Sequence, residues 1–238
     1  MRRRFFVDEV HSGKAEITGD DAKHLTRVLR VEAGQRYEIS DNHNVYLAEI
    51  ETARKEHVTF QTIEKLPPQP STVRLVLCTA LIKFDHFEWM IEKATELGVS
   101  EIIPVETIRS ERGLERAAYK RIERWRRIAL EASQQSRRAF LPEVRVPETL
   151  KAVLAREAPH RYVLDEEPAV KPLQAALPAE RKVEDTVSIL IGPEGGWTAE
   201  ERSQFASTWT PVSLGPLILR AETAALAALA IVNSAWLI

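Results

Sequence analysis

The chain has 238 residues, 44% hydrophobic and 29% charged, with a formal net charge of -2. Those proportions sit near globular averages and exclude wholesale disorder, and the length suits one large domain or two small ones. A single cysteine, Cys78, excludes an internal disulfide and a cysteine-built zinc site, and fits a reducing, cytoplasmic setting.

The start, Met1-Arg2-Arg3-Arg4, is basic, but the apolar run after it is only Phe5-Phe6-Val7, so no signal peptide is expected. A short helix is predicted over 20–29, with Asp20 as N-cap and Leu25, Val28 and Leu29 on one face. Alternating β-branched and aromatic residues predict strands over 37–40 and 45–50, joined by a turn at Asp41-Asn42-His43-Asn44, and another over 58–63. The run Leu66-Pro67-Pro68-Gln69-Pro70-Ser71 disfavours both helix and sheet and reads as a stiff linker. It divides the chain into 1–70, resembling a small β-barrel, and 71–238.

Beyond it, strands and helices alternate. Strands are predicted over 73–78, 102–105, 162–164, 187–191 and 212–214. A helix over 86–97 places Phe87, Met90, Ile91, Ala94 and Leu97 at helical spacing, with Asp85 as its cap and Gly98 at its end. A long helix over 117–136 turns Ile122, Trp125, Ala129 and Ala132 inward and its arginines outward. Thr198-Ala199-Glu200-Glu201 is a capping box. The tail over 221–238 is apolar but carries Glu222, Thr223, Asn233 and Ser234, so it is expected to be a core or interface helix and not a membrane span. The alternation predicts an α/β domain, a parallel sheet with helices on both faces.

Two segments have the make-up of a ligand site. Ile191-Gly192-Pro193-Glu194-Gly195-Gly196-Trp197-Thr198 follows a buried strand and precedes a capped helix, the edge where open α/β sheets bind ligands. An ordinary tight turn would look the same. The segment lacks the lysine of a phosphate loop and the dinucleotide fingerprint, which disfavours a nucleoside triphosphate or NAD. Leu214-Gly215-Pro216-Leu217-Ile218-Leu219-Arg220-Ala221-Glu222-Thr223-Ala224 occupies a similar place, with Arg220, Glu222 and Thr223 polar amid apolar neighbours. An Arg–Glu pair and a helix cap would account for it equally. The histidines show no metal-ligand spacing, so no metal is expected, and no nucleophile elbow suggests a hydrolase.

Basic residues gather between Arg109 and Arg145, among them Arg112, Arg116, Lys120, Arg121, Arg124, Arg137 and Arg138. Such a cluster can hold a nucleic-acid backbone, or it can be a solvated helix face. Arg2, Arg3, Arg4, Lys23, Arg27 and Arg30 could add a second contact.

At these residues the sequence resembles the RsmE family of ribosomal RNA small-subunit methyltransferases, of the SPOUT superfamily. The carrying segments are His24-Leu25-Thr26-Arg27-Val28-Leu29-Arg30, Lys83-Phe84-Asp85, Glu92-Lys93-Ala94-Thr95-Glu96-Leu97-Gly98-Val99, Ser110-Glu111-Arg112, Arg124-Trp125, Glu131-Ala132-Ser133-Gln134-Gln135-Ser136 and the two glycine segments. Their order and spacing run nearly the whole chain. The resemblance implies an N-terminal PUA-like RNA-binding β-barrel over 1–70. It implies a trefoil-knotted methyltransferase domain over 71–238 that binds S-adenosyl-L-methionine and forms a homodimer. The reaction implied is methylation of N3 of one uridine in the 16S ribosomal RNA of the small subunit.

On that resemblance, Leu164, Ile191, Gly192, Pro193, Glu194, Gly195, Gly196, Leu214, Gly215, Ile218, Leu219, Arg220, Glu222, Thr223 and Ala224 would bind the methyl donor. Arg220 would stabilise the uridinate oxygens, and Glu194 or Glu222 would take the N3 proton; all three could instead be structural. Arg2, Arg4, Lys23, Arg27, Arg30, Lys83, Arg109, Arg112, Arg137 and Arg138 would contact RNA. Two positions depart from the family pattern: Arg137 stands where a small residue, often glycine, is expected, and Leu217 where a basic one is common. Rival readings are a related enzyme acting on transfer RNA or a ribose hydroxyl, and a non-catalytic assembly factor.

Overall fold

A computed structural model of the chain describes residues 3–67, 73–167, 170–182 and 185–236. Most of the proline-rich run, Arg2 and Leu237 lie outside these residues. Two compact units result: Met1–Pro70 with Leu130–Leu141, and Ser71–Ala129 with Pro142–Ile238.

In the first unit five strands, β1 (Arg4–Phe6), β2 (Lys14–Thr18), β3 (Arg36–Ser40), β4 (Val45–Arg54) and β5 (His57–Lys65), form one sheet in the order β1-β3-β4-β5-β2. Inward positions alternate along the strands, so Ile39, Ile50, Val58 and Phe60 meet Phe5 in a solvent-free core. Asp20 is not the cap expected. Thr18 is the N-cap of α1 (Gly19–Lys23), without a side-chain bond. The helix then loosens into a π-helical turn, His24–Val28. That wider turn shifts the phase of the apolar residues. Leu25 is buried, while Val28, expected on the same face, is 65% exposed.

Residues 130–141 bond directly to this sheet. Ser40 Oγ donates to the Ala139 carbonyl at 2.6 Å, and the Asn42 amide oxygen accepts from Leu141 N–H at 2.7 Å. Glu38 takes Arg4 at 2.7 Å and also pairs with Arg137. Burial pushes the Glu38 carboxyl up, but the two guanidiniums outweigh it and hold the group below the usual glutamate range. Arg137 has φ +57°, the left-handed region that favours glycine. The departure from a small residue therefore puts a strained backbone at this position.

The second unit is built on eight strands paired in parallel. β6 (Arg74–Ala80), β7 (Glu101–Glu106), β8 (Glu143–Val144), β10 (His160–Leu164), β11 (Lys171–Pro172), β12 (Thr186–Ile191) and β13 (Thr210–Ser213) run in the order β11-β13-β10-β12-β6-β7-β8. β9 (Glu148–Thr149) pairs with β7 off that path. Side chains at alternate positions feed two separate cores. Leu75 and Leu77 join Phe87, Met90, Trp125 and Leu229, whereas Val76 and Cys78 join Val153, Phe205 and Trp209. Both faces of the sheet are therefore covered by helices, as the βα alternation predicts. On one face lie α2 (Phe84–Glu96), the start of α4 (Ile122–Ser136) and α8 (Ala221–Trp236); on the other lie α5 (Leu150–Leu154) and α7 (Ala199–Phe205).

Helix ends differ in detail. α2 begins at Phe84 with Lys83 as N-cap, so Asp85 lies in its first turn instead of capping it; a carboxylate there still suits the positive end of the helix. Gly98 follows it at φ +88°, as its place predicts. The helix expected over 117–136 is two, α3 (Leu114–Tyr119) and α4, broken at Lys120-Arg121. The segment 173–176 forms one further turn, α6 (Leu173–Ala176). In the tail helix Ala225, Ala228, Leu229 and Val232 are wholly buried, which makes its apolar face part of the unit's own core. Among the described residues no helix is long and apolar enough to cross a membrane, and no cluster of metal-ligating residues is found.

Candidate active site

Strand ends set the floor of one cleft. Leu164 ends β10, Ile191 ends β12 and Val212 lies in β13, three adjacent strands. The cleft opens at their carboxyl edge and has a volume of about 630 Å³, within the range of small-molecule sites. Its walls are the two glycine segments: Gly192, Pro193, Glu194, Gly196 and Trp197 on one side, Leu214, Gly215, Pro216, Leu217, Ile218 and Leu219 on the other. Ala221 and Ala224 of α8 close one end.

Local chemistry explains the first wall. The Trp197 indole N–H donates to the Leu164 carbonyl at 2.9 Å, which pins the ring flat beside Gly192. A Cβ on Gly192 would stand 2.9 Å from that ring. Gly196 has φ +68° and its N–H closes a tight turn on the Pro193 carbonyl at 2.8 Å. The Thr198–Glu201 capping box starts α7 and contributes about 1 kcal/mol. Glu201 also accepts from the Ile108 N–H at 2.9 Å, and Ser110 Oγ donates to the Leu81 carbonyl at 3.0 Å. The loop after β7 is thereby tied down, and Arg109 Nη1 reaches the Gly195 carbonyl at 2.7 Å.

The second wall is open. Gly215 has φ +125°. Among the described residues no backbone N–H of Gly215, Leu217, Ile218 or Leu219 is spent on another protein group. Leu217 and Ile218 are 77% and 83% exposed. A third side is acidic. Asp165 is held by Arg202 through bonds of 2.8 and 3.0 Å, and its hydrogen bond raises the Arg202 pKa above the usual arginine value. Glu166 and Glu194 are exposed at the cleft and carry no ion pair among the described residues.

Of the residues expected to bind a donor, Leu164, Ile191, Gly192, Pro193, Glu194, Gly196, Leu214, Gly215, Ile218, Leu219 and Ala224 line the cleft. Gly195 does not; a Cβ there would meet Arg109 at 3.3 Å. Arg220 and Thr223 are exposed beside the cleft without lining it. Glu222 is buried, turned onto α2, with Oε1 2.9 Å from His86 Nδ1. Trp197, within the first glycine segment, lines the cleft too, as do Asp165, Arg202 and Val212, which nothing in the sequence marks as site residues. Asp165 and Arg202 are 37 positions apart, and no local signal joins them.

The basic residues fall into two groups. Arg27, Arg30, Lys83 and Arg112 are exposed and make no ion pair among the described residues. Arg4 is buried on Glu38, Arg137 shares that carboxylate, Lys23 lies 2.9 Å from Asp20, and Arg109 is bonded to Gly195. Arg138 is half-buried, donates to the Phe140 carbonyl at 3.1 Å, and burial pushes its guanidinium down to about 10; it is still a cation at neutral pH. Arg2 lies outside the described residues.

A family model described as an RNA methyltransferase domain matches residues 69–233, and one described as an RNA methyltransferase PUA domain matches 17–63. The ribosomal RNA small subunit methyltransferase E of a Synechocystis strain is 33% identical over 95% of this chain and 75% of its own length. The chain belongs to the ribosomal RNA small subunit methyltransferase E family. Its counterpart in Bacillus subtilis is 32% identical over 91% of this chain and 88% of that one. A crystal structure of the Neisseria gonorrhoeae family member, bound to S-adenosylmethionine, superposes with a TM-score of 0.87 at 27% identity, covering 99% of this chain and 98% of that one. A Legionella pneumophila protein solved with the same cofactor gives 0.88 at 27% identity, with the same coverage.

The cleft fits that cofactor on its own chemistry. Leu164, Ile191, Val212, Leu214 and Leu219 offer apolar surface to an adenosine ring. The unspent N–H groups between Gly215 and Leu219 can serve its polar edge. Glu166 and Glu194 supply negative charge for a sulfonium and an ammonium.

Proposed function

We propose that this chain transfers a methyl group from S-adenosyl-L-methionine to N3 of a uridine in the 16S ribosomal RNA of the small subunit, in the cytoplasm and as a homodimer. The observation that carries the reading is the acid-rimmed cleft between the two glycine segments, in a chain of this family. Two relatives of the same fold were solved with the donor.

When bound, the donor supplies an electrophilic methyl carbon on a sulfonium. The chain has to align a nucleophile and exclude water. Leu164, Ile191 and Val212 form the apolar floor, and the exposed Leu217 and Ile218 add apolar surface to its wall. Uridine N3 carries a proton at neutral pH, so an acceptor is required. Glu194 suits that role: its carboxylate is exposed at the cleft and unpaired among the described residues. Glu222 is spent on His86 and holds α8 to α2. Arg220, exposed at the end of the second wall, suits stabilisation of the uridinate oxygens. The knotted chain path rests on the family resemblance, and the division at residue 70 on the proline-rich run over 66–71.

Labelled methyl transfer to undermethylated small subunits, with mass spectrometry of the product nucleoside, tests the reading. N3-methyluridine supports it; a methylated ribose or transfer RNA gives it to a rival; no transfer with a bound donor leaves an RNA-binding assembly factor. Sedimentation at micromolar concentration tests the dimer, and a monomer alone would reject it.

A further inference from the structure

A second cavity, of about 610 Å³, lies on the helical face of the second unit, apart from the residues of the cofactor cleft. It is lined by Phe84, Arg116, Lys120, Arg121 and Arg124, with Gly113 and Ala117. Four of these side chains are cations.

They divide into a fixed pair and an open pair. Glu88 of α2 is largely buried, 13% exposed, and takes Arg121 at 2.9 Å and Arg124 through two bonds of 2.8 Å. These bonds outweigh the cost of burial and hold the Glu88 carboxyl below the usual glutamate range. The Arg121 guanidinium also lies over the Phe84 ring at 4.7 Å. Both guanidiniums are thus fixed in place before anything binds. Arg116 and Lys120 are exposed, make no ion pair among the described residues, and bring two positive charges to the same place. A fixed arginine pair beside two unneutralised cations is an arrangement for a polyanion.

The cavity has no glycine-rich phosphate loop, and its charges lie along an open helix pair rather than in an enclosed pocket. That favours a continuous phosphodiester backbone over a small nucleotide. We infer that Arg116, Lys120, Arg121 and Arg124 form a docking subsite for backbone phosphates of the substrate RNA, distinct from the place of methyl transfer. The inference rests on the RNA-modifying reading above and assigns it a second point of contact.

The test pairs wild type with an Arg116→Gln/Lys120→Gln variant, both residues being exposed. The probe is a fluorescent fragment of small-subunit ribosomal RNA, titrated at several salt concentrations, with an inorganic pyrophosphate competition as a separate arm. The variant is expected to bind RNA at least about tenfold more weakly at low salt. Its plot of log affinity against log salt should be shallower by about 1.5, because two contacts no longer displace counterions. Donor affinity by calorimetry and the melting temperature should match wild type, which shows that the variant is folded. RNA affinity and salt slope equal to those of wild type overturn the subsite. Pyrophosphate competing at micromolar concentration overturns the choice of a backbone over a small anion. Should the double variant not fold, Lys120→Gln alone is read the same way, with about half the change in slope. A wild type that binds RNA through these residues yet methylates no small subunit sinks the proposed reaction and leaves the subsite standing. A wild type that methylates, with a variant that binds equally well, does the reverse.

Discussion

Glu222 Oε1 lies 2.9 Å from His86 Nδ1, joining the first turn of α8 to the first turn of α2, while its other carboxylate oxygen is buried without a partner among the described residues. The bond ties the segment that forms the second wall of the cleft to the helix after β6. An unpaired buried oxygen costs about 1–3 kcal/mol, so the pair is finely balanced.

His86→Ala is expected to destabilise the protein more than Glu222→Gln, because it strands a buried carboxylate whereas the amide keeps a neutral partner for the imidazole. Urea unfolding of both single variants and the double variant measures the coupling. Additive effects would show that the two side chains do not act together.

Gly192→Ala is expected to weaken donor binding, with little room for relief. The new Cβ would stand 2.9 Å from an indole pinned to the Leu164 carbonyl. Gly195→Ala meets only Arg109, at 3.3 Å, a milder contact that a shift of a few tenths of an ångström relieves. Calorimetry should therefore rank Gly192→Ala well below Gly195→Ala in affinity; the opposite order would contradict the placement of the cleft.

Glu101, 3% exposed at the start of β7, takes Arg156 at 2.5 Å and Arg74 at 2.6 Å, with Arg145 at 3.7 Å. Glu101→Ala takes the shared carboxylate from Arg74, which is 51% exposed, while Arg156 and Arg145 keep Glu148, so the loss is expected to be only about 1–3 kcal/mol. Because β7 begins at the edge opposite the cleft, donor affinity in the folded fraction should be unchanged. Chemical denaturation and calorimetry check both halves.

Acid should loosen the first unit. The Glu38 carboxyl is held below its ordinary value in the folded chain. Its stabilising contribution is therefore fully present above the ordinary glutamate range and is lost as pH falls through the lower, folded value. Unfolding free energy measured from pH 6 down to pH 3 should fall, and less steeply for Glu38→Gln. Identical slopes would remove Glu38 from the acid response.

Cys78 is fully buried, and burial pushes its thiol far up. A thiol-reactive dye should label it in urea but not in buffer. Rapid labelling of the native protein would contradict its place in the core.

Periodicity carried the second unit well. The runs around Leu75–Cys78 and Val187–Ile191 are continuous and apolar because both sheet faces are covered. The capping box at Thr198 is local chemistry between residues three apart, and it was legible as such. The first unit was less legible: β1 and β2 are short edge strands, and the π-helical turn moved Val28 outward in a way that no regular helical period anticipates. Among the RNA candidates, Arg4 looked like any basic residue near a terminus, yet it is buried on Glu38.

The sequence by itself determined the main strands β3 to β7, β10, β12 and β13, the helices α2, α7 and α8, and the two glycine segments, because those depend on residues near one another along the chain. It also carried the family. Only the tertiary structure decided which carboxylates and guanidiniums are spent on each other. Glu222 on His86, Arg202 on Asp165 and Arg121 with Arg124 on Glu88 join residues 33 to 136 positions apart. A charge is available to a ligand only when folding has not already neutralised it, and that is a property of distance in space.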